Sequence, residues 1–312
     1  MGMNPVLVAV DGGGSKTDAV ALGLDGSLVA QVRGGASSPQ GIGLARSVAL
    51  VESLVLEVAG GAPVQRTELY LSGLDLPREL TAYSEAIAGR AWAERVVLDN
   101  DLFALLRAGT AEPDAVAVVC GTGMNAVGVR SDGASVRFPA LGQISGDWGG
   151  GSGLGAEALW HAARDEDGRG PHTALTDAVR ERFGPIPQLI EQLHFGERSS
   201  SGLAQLAPAV FALAATDAVA AALVDRQAAE VVAFVTACLK RLELLDAVVP
   251  VVLGGGILQA GDLRLMSGIA AGLGAAAPHA MIVHVTDPPI LGAARLALEH
   301  EGISLERLSL PG

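Results

Sequence analysis

The sequence predicts an α/β protein of two domains that repeat one order of elements. A β-branched apolar run, Val6–Val10, leads into a glycine-rich turn, and a second run, Ala115–Gly121, does the same later in the chain. Each is followed by short strands with Asp-Gly turns and then by helical segments. The 312 residues leave room for two domains, at roughly 150 residues per domain.

The first half predicts the order β-β-β-α-β-α-β-α. Its strands are apolar runs bounded by turn residues, and its helices show apolar residues at helical spacing. The predicted strands are Val6–Val10, Ala19–Leu24, Leu28–Arg33, Glu68–Ser72 and Arg95–Leu98. The predicted helices are Gly41–Val58, Pro77–Gly89, with proline in its first turn, and Leu102–Ala108.

The second half begins the same order again, so the duplication is one of structure and not of a short sequence repeat. Its predicted strands are Ala115–Gly121, Ala126–Arg130, Ala134–Phe138, Val248–Leu253 and Met281–Val285. Its predicted helical segments are a long region from Gly155 to near Leu245, broken at Gly168–Pro171 and Gly184–Pro187, then Leu263–Leu273 and Ile290–Glu301. We expect domains at residues 1–115 and 116–312, with the last helix packing back on the N-terminal domain.

Composition and charge exclude several classes of function. Half of the residues are hydrophobic, enough for a large core. The net charge of −13 argues against nucleic acid as a partner, because phosphate backbones require basic surfaces. Glycine, proline and histidine interrupt the uncharged stretch 265–286, so we expect no membrane span. The first strand begins almost at once, so no signal peptide is expected, and Cys120 and Cys238 are expected to be reduced core residues of a cytoplasmic protein.

Two glycine-rich turns carry the chemistry. The first is Asp11-Gly12-Gly13-Gly14-Ser15-Lys16-Thr17, and the second is Gly121-Thr122-Gly123. Glycines let backbone N–H groups approach an anion, and hydroxyls add donors, so two such turns facing each other would hold a polyphosphate. An acid at the tip of the first turn would repel phosphate unless a divalent cation lay between them, so Asp11 predicts Mg²⁺ and the pair predicts ATP. Ser15 before Lys16 excludes a P-loop, and Thr17 excludes the dinucleotide fingerprint.

In this order the motifs resemble the actin/hexokinase/Hsp70 ATPase superfamily, and more closely the BadF/BadG/BcrA/BcrD-type ATPases and the N-acetylglucosamine kinases. The segments similar to that family are Asp11–Thr17, Cys120–Gly123, Leu253–Gly256 and Asp287–Ala294. The resemblance implies two duplicated ribonuclease H-like (actin-like ATPase) domains. Each would be a mixed five-stranded sheet with flanking helices, and a cleft would lie between them.

The resemblance also implies the reaction and its residues: ATP-dependent phosphorylation of an amino sugar, N-acetylglucosamine or glucosamine, with Mg²⁺ at Asp11. The nucleotide would be held by Gly12, Gly13, Gly14, Ser15, Lys16, Thr17, Gly121, Thr122, Gly123, Gly254, Gly255 and Gly256. Asp101 matches the family's catalytic base, and a carboxylate after a strand can take a proton from a sugar hydroxyl. Spacing alone does not choose between Asp101 and Asp99, and both are also candidates for N-caps of the following helix.

The acceptor pocket departs from the family pattern. Ser38 stands where the family has asparagine before a proline, and Asp147 is retained while Trp148 replaces a glutamate. We therefore expect Ser38, Asp101, Asp147 and Trp148 to contact the substrate. Trp148 is either a stacking surface for a sugar ring or a residue that fills space in the core.

Two other functions share this resemblance. A BadF/BadG-type ATPase that activates a partner enzyme would hold an iron–sulfur cluster between subunits, but Cys120 and Cys238 form no local pair in the sequence. The alternative that remains is an activator without a cluster. A sugar-sensing regulator would need a helix-turn-helix, and none precedes residue 6. A homodimer is compatible with the resemblance.

Overall fold

The computed structural model describes residues 3–305 and 308 and has the predicted duplicated order. The strands are β1 (Val6–Gly12), β2 (Thr17–Gly23), β3 (Leu28–Gly34), β4 (Val64–Leu71), β5 (Val96–Asp99), β6 (Ala115–Cys120), β7 (Met124–Val129), β8 (Ser135–Arg137), β9 (Val249–Gly254) and β10 (Ala280–His284). The α-helices are α1 (Pro39–Ile42), α2 (Leu44–Ala59), α3 (Pro77–Ile87), α4 (Leu102–Gly109), α5 (Gly150–Glu166), α6 (Leu175–Phe183), α7 (Ile186–His194), α8 (Ala207–Leu213), α9 (Ala218–Arg241), α10 (Gly256–Gln259), α11 (Leu263–Ala276) and α12 (Pro289–His300). Short 3₁₀ helices span Ala91–Ala93, Gly142–Ser145 and Ser200–Leu206.

The two sheets have equivalent strand orders. The first is β3-β2-β1-β4-β5, with antiparallel pairs among β1 to β3 and parallel pairs from β1 to β4 and from β4 to β5. Hairpin turns suffice for the antiparallel pairs, whereas the parallel strands are reached through helices α2 and α3. The second sheet, β10-β9-β6-β7-β8, repeats this order with β6 in the place of β1. The predicted pair of five-stranded sheets is confirmed.

The first sheet is covered on both faces because β1 and β2 are apolar on both sides. Val8 and Val10 of β1 face one core cluster, which includes residues of α2 and α3. Leu7 and Ala9 face a second cluster, which includes residues of α4 and α12. At Gly292, α12 crosses α4 so closely that a Cβ atom would overlap the Ala104 carbonyl. The last helix therefore packs on the sheet that begins the chain.

The described residues divide into two compact units. The first comprises those of Met1–Ala117, Val129–Pro139 and Val283–Gly312, and the second those of Val118–Gly128 and Ala140–Ile282. Two segments within the predicted domain 116–312, residues 129–139 and the described residues from 283 onward, thus lie with the N-terminal residues. The burial of the apolar face of α12 against β1 accounts for the second of them.

The predicted helical region of the second unit consists of separate helices. Helix α5 begins at Gly150 and not at Gly155, because its first N–H groups bind loop carbonyls: Gly151 donates to Gly121 and Ser152 to Thr122, each at 2.8 Å. In the part of the chain that the structure describes, no single helix has the length and hydropathy to cross a membrane. The segments Ser200–Leu213 and Ala218–Arg241 would meet that test only together, and they are bent by 106°.

Candidate active site

The first glycine-rich turn connects β1 to β2. Its base is closed by a hydrogen bond of 2.9 Å from the Gly13 N–H to the Lys16 carbonyl. Gly12 is packed below the turn, where a Cβ atom would overlap the side chains of Ser37 and Leu71. Beyond it Gly14, Ser15 and Lys16 are exposed, and open space surrounds the Gly14 Cβ position. The tip of the turn is therefore accessible to a ligand.

An acidic pair lies at the base of this turn. Asp11 of β1 is directly opposite Asp18 of β2, and burial raises the pKa of Asp11 to about 7, with the Asp18 charge adding to the rise and Lys16 opposing it. Asp18 has cations of its own, since Lys16 Nζ lies 3.2 Å and Arg33 Nε 2.6 Å from its carboxylate. Asp11 has no basic partner within ion-pair distance among residues 3–305. A bound cation would supply the positive charge that the Asp11 carboxylate lacks.

Asp101 lies at the N-terminus of α4, yet its side chain makes no capping hydrogen bond. The neighbouring Asn100 accepts from the Leu102 N–H at 3.0 Å instead. Burial raises the pKa of Asp101 to about 7, and the Asp11 charge adds to the rise, so the two carboxyl groups interact electrostatically. In the described part of the chain no arginine, lysine or histidine forms an ion pair with Asp101. Its carboxyl is half-buried and has no basic partner there, and its raised pKa suits proton transfer near neutral pH.

Asp99, the alternative base, has a different environment. Its carboxylate lies 2.7 Å from Arg137 Nη1 and accepts from the Asn100 N–H at 2.7 Å. Burial raises the pKa of Asp99, while Arg137 and the backbone donor oppose that rise. Asp99 is therefore committed to an ion pair, whereas Asp101 is not.

The second glycine-rich turn, between β6 and β7, is shaped by backbone contacts alone. The Gly121 N–H donates to the Gly123 carbonyl at 3.0 Å. The start of α5 is packed so tightly on the turn that a Cβ atom at Gly150 would overlap the Gly123 backbone. The first N–H groups of α5 therefore hold the turn in place, since those of Gly151 and Ser152 donate to the carbonyls of Gly121 and Thr122.

A cavity of about 610 Å³ in the second unit adjoins this turn. Gly121 and Thr122 line it together with Gly256, so the structure brings the second turn and the predicted adenosine segment to one cavity. Gly255, at φ +87°, lies against the Cys120 backbone, which leaves no room for a Cβ atom. The other lining residues are Gly151, Ala204, Ala207, Pro208, Phe211, Ile257, Ala260 and Asp262. Those from the 3₁₀ helix Ser200–Leu206 and from α8 were not predicted, because nothing in their local sequence pattern marks a site.

The predicted acceptor residues occur in both units. In the first, Ser38 is buried at the start of α1, against Gly73. In the second, Asp147 and Trp148 line a groove of about 640 Å³ beside α5. Trp148 is 6% exposed, its indole N–H donates to Glu157 at 3.2 Å, and the Arg226 guanidinium lies 3.9 Å from its ring centroid. The ring both lines a cavity and packs in the protein, so both predicted roles stay open.

Comparisons with known proteins identify the family. The sequence model of the BadF/BadG/BcrA/BcrD ATPase family matches residues 8–297. The chain belongs to this family. It is 25% identical to an N-acetyl-D-glucosamine kinase of Dictyostelium discoideum, over 94% of this chain and 98% of that protein. It is also 26% identical to a crystal structure from Chromobacterium violaceum, provisionally named N-acetylglucosamine kinase, with a TM-score of 0.75 over 94% and 99% of the two chains.

A glucokinase of the ROK family from Streptomyces griseus shares the fold, with a TM-score of 0.55 at 16% identity. The family and the fold predicted from the motifs are thus confirmed. The predicted enzyme class, an ATP-dependent phosphotransferase with an alcohol acceptor, is confirmed as well.

The two cysteines matter in a BadF/BadG-family member, because thiolates would be needed to hold an iron–sulfur cluster. Cys120 and Cys238 are buried and unpaired with each other, and burial raises the pKa of both thiols to about 12. Such thiols stay protonated near neutral pH and are poor ligands. Over the described residues, no group of three or more His, Cys, Asp or Glu side chains is arranged to hold a metal.

Proposed function

We propose that this chain phosphorylates an amino sugar, N-acetylglucosamine or glucosamine, by in-line transfer of the γ-phosphoryl group of ATP. The observation that carries the proposal is Asp101, a half-buried carboxyl at the start of α4 without a basic partner in the described chain and with a pKa raised to about 7. A group with that pKa can accept the proton of an attacking hydroxyl at neutral pH. The relatives named N-acetylglucosamine kinase support the choice of acceptor.

The first turn fits the Mg²⁺ that accompanies ATP in such reactions. Asp11 is a hard oxygen ligand whose charge is opposed by burial and by Asp18, so a cation would favour its ionised form. Mg²⁺ sites commonly use one or two carboxylates plus substrate phosphates and waters, so a larger ligand cluster is not required. When bound, the ion would neutralise charge on the phosphates.

In the proposed reaction Asp101 orients the sugar hydroxyl and takes its proton as the hydroxyl oxygen attacks the γ-phosphorus. Backbone donors of Gly12–Thr17 and of Gly121–Gly123 hold the phosphate oxygens where negative charge accumulates. The cavity bordered by Gly256 accepts the adenosine, with Gly254 and Gly255 shaping its edge. No covalent intermediate on the protein is needed.

For the acceptor we propose Ser38, Asp147 and Trp148 as contacts. Asp147 offers a carboxylate to sugar hydroxyls, and its own partner is the Ser145 hydroxyl at 2.5 Å. Trp148 would contribute ring surface beside the groove. A sugar ring that stacks there would perturb the indole fluorescence, and Trp148→Ala would raise the KM of the acceptor about tenfold, as expected for loss of an aromatic contact.

A panel of hexoses, amino sugars and muramic sugars, with coupled detection of ADP, tests the proposed function. We expect N-acetylglucosamine or glucosamine to stimulate ADP release well above the rate without sugar. If no sugar raises that rate, the kinase proposal is wrong. A Trp148→Ala protein with an unchanged acceptor KM but a strongly lowered melting temperature would assign the ring to the core.

A further inference from the structure

An arginine that the proposed reaction does not use contacts the carboxyl edge of the first sheet, where β4 and β5 end. Arg137 of β8 lies with Nη1 2.7 Å from the Asp99 carboxylate, and its Nη2 donates to the Leu74 carbonyl at 3.0 Å. Its guanidinium carbon is 5.4 Å from the ring centroid of Phe103. One side chain thus contacts the end of β5, the loop between β4 and α3, and the first turn of α4.

A second series of contacts joins the same segments. Asp75, directly after Leu74, accepts from Asn100 Nδ2 at 2.9 Å. Asn100 in turn accepts from the Leu102 N–H at 3.0 Å. The residues on both sides of Asp101 are therefore fixed by side-chain hydrogen bonds, while the Asp101 carboxyl itself makes no capping bond.

The Arg137 side chain is suited to bridging these segments because its planar guanidinium group presents hydrogen-bond donors in a fixed geometry. Two different acceptors, a carboxylate and a carbonyl, are held at once, which a lysine ammonium on a flexible stem would do poorly. Arg137 and Asp99 each retain 28% of their side-chain exposure, so the pair is partly shielded from solvent. The Leu74 carbonyl and Asp99 lie 25 positions apart in the sequence, and this bridge joins them in addition to the hydrogen bond between Asp75 and Asn100.

We propose that Arg137 is a positioning residue for phosphoryl transfer: by tying the β4–α3 loop to the end of β5, it holds Asp101 in place for proton transfer. This inference rests on the proposed function, because it assigns Arg137 a part in the same reaction. Arg137 acts through Asp99 and Leu74 and touches neither the acceptor hydroxyl nor the nucleotide-binding turns in this proposal.

The first test is Arg137→Met, which keeps much of the stem and removes the donors. We expect kcat to fall about 10–100-fold, because small displacements of a catalytic group have effects of that size. The KM for ATP should stay within about twofold, since the contacts of Arg137 lie beside the base. Arg137→Lys, which keeps the charge near Asp99 but cannot hold both acceptors, should recover part of the lost kcat.

Two control variants separate this role from a general ion-pair effect. Asp99→Asn leaves the bond from Arg137 to Leu74 available and should lower kcat by less than about threefold. The double variant with Arg137→Met should be no slower than Arg137→Met alone, because both substitutions act on the same contact between Arg137 and Asp99. Arg264→Met removes a similar arginine–carboxylate contact in the second unit, where Arg264 Nη2 lies 2.6 Å from the exposed carboxylate of Asp225. This variant should leave kcat unchanged.

Amide hydrogen exchange gives a measurement that does not need activity. In Arg137→Met we expect faster exchange in residues 72–76 and 99–103, and in Arg264→Met we expect none there. A kcat for Arg137→Met within twofold of the wild type would overturn the proposal, as would unchanged exchange in both segments. If Arg137→Met does not fold, unchanged kcat and exchange in Arg137→Lys would overturn it. A further outcome is that the wild-type protein phosphorylates no sugar while its variants show the expected exchange. That result would refute the proposed function but would still support the link that Arg137 makes between Asp99 and Leu74.

Discussion

The two glycine-rich turns have equivalent places in their sheets but differ in the residue that precedes the glycines. In the first turn it is Asp11, and burial raises the pKa of that carboxyl to about 7. In the second it is Cys120, and burial raises the pKa of that thiol to about 12. Near neutral pH the first can carry charge and exchange protons, while the second stays neutral. The duplicated backbone thus supports two different tasks.

The surroundings of the turns extend this contrast. Around the first turn lie Asp18, Lys16 and Arg33, with Asp101 close enough to interact with Asp11. The second turn is held by backbone hydrogen bonds to the start of α5 and borders an open cavity. The proposed reaction therefore places acid–base chemistry in the first unit and recognition by shape and backbone donors in the second, and variants can test each half separately.

The largest effect is expected for Asp101→Asn. Loss of a positioned general base should lower kcat by about 10²–10⁴-fold while the affinity for ATP is retained. Steady-state kinetics with a saturating acceptor, together with calorimetric titration of ATP, measures both quantities. Asp99→Asn is the matched control, because Asp99 is already paired with Arg137. A greater loss in Asp99→Asn than in Asp101→Asn would mean that Asp99 is the base.

Asp11→Asn should weaken the binding of Mg²⁺ with ATP more than it lowers kcat. It removes a carboxylate ligand, so the apparent affinity for Mg²⁺ in the presence of ATP should fall about 10–100-fold, the range found when support of a metal site is lost. Titration of Mg²⁺ at fixed ATP, followed by initial rate, measures the change. Rates that return to the wild-type value at high Mg²⁺ would support the assignment. A kcat loss that Mg²⁺ cannot restore would place Asp11 in the proton-transfer step.

The packing of residue 255 against the second turn can be tested with two adjacent glycines, Gly255 and Gly256. Gly255 has φ +87° and no room beside Cys120, so Gly255→Ala should lower the free energy of unfolding by about 1–3 kcal/mol from backbone strain, with the overlap adding to it. Gly256 has no atom within 4 Å of its Cβ position and a φ outside the left-handed region, so Gly256→Ala is the control. Denaturant unfolding distinguishes them. Equal loss in the two variants would contradict the packing described for Gly255.

The last prediction concerns the dependence of stability on pH. The pKa of Asp11 and of Asp101 is about 7 in the folded protein, above the value near 3.9 of a free aspartate. The folded state keeps protons that the unfolded state releases, so this stabilisation is full below about pH 4 and is lost as pH rises through about 7. Without Mg²⁺ and ATP, the melting temperature should fall between pH 5 and pH 8, and by less in Asp101→Asn.

Much of the fold could be predicted from the sequence because its strands are short β-branched runs bounded by glycine or aspartate. The predicted strand Val6–Val10 and helix Leu102–Ala108 differ from β1 and α4 by two residues or fewer. The start of α5 was predicted five residues too late, because Gly150 and Gly151 are poor helix formers. Their helical conformation is supported by loop carbonyls near residue 121, a long-range contact that local patterns do not encode.

The candidate site was predictable only in part. Motif order located Asp11 and Asp101, but spacing left Asp99 and Asp101 equivalent. What separates their environments is Arg137, which is 38 positions from Asp99 in the sequence. Pro208 and Phe211, which line the cavity, were not predicted either, because helical residues that line a cavity have the same sequence pattern as any other apolar helix face.

The position of α12 has a consequence for how the chain is made. Ile290, Ala293 and Ala297 cover Leu7 and Ala9 of β1, so this strand is covered by a helix that is synthesised only after all the strands of both sheets. Until then this apolar face of the sheet is covered only in part, by α4, and a nascent chain with exposed apolar surface is prone to aggregate. The first unit must therefore finish folding after α12 has been synthesised, and a fragment ending near residue 115 would lack one of the two helices that cover this face.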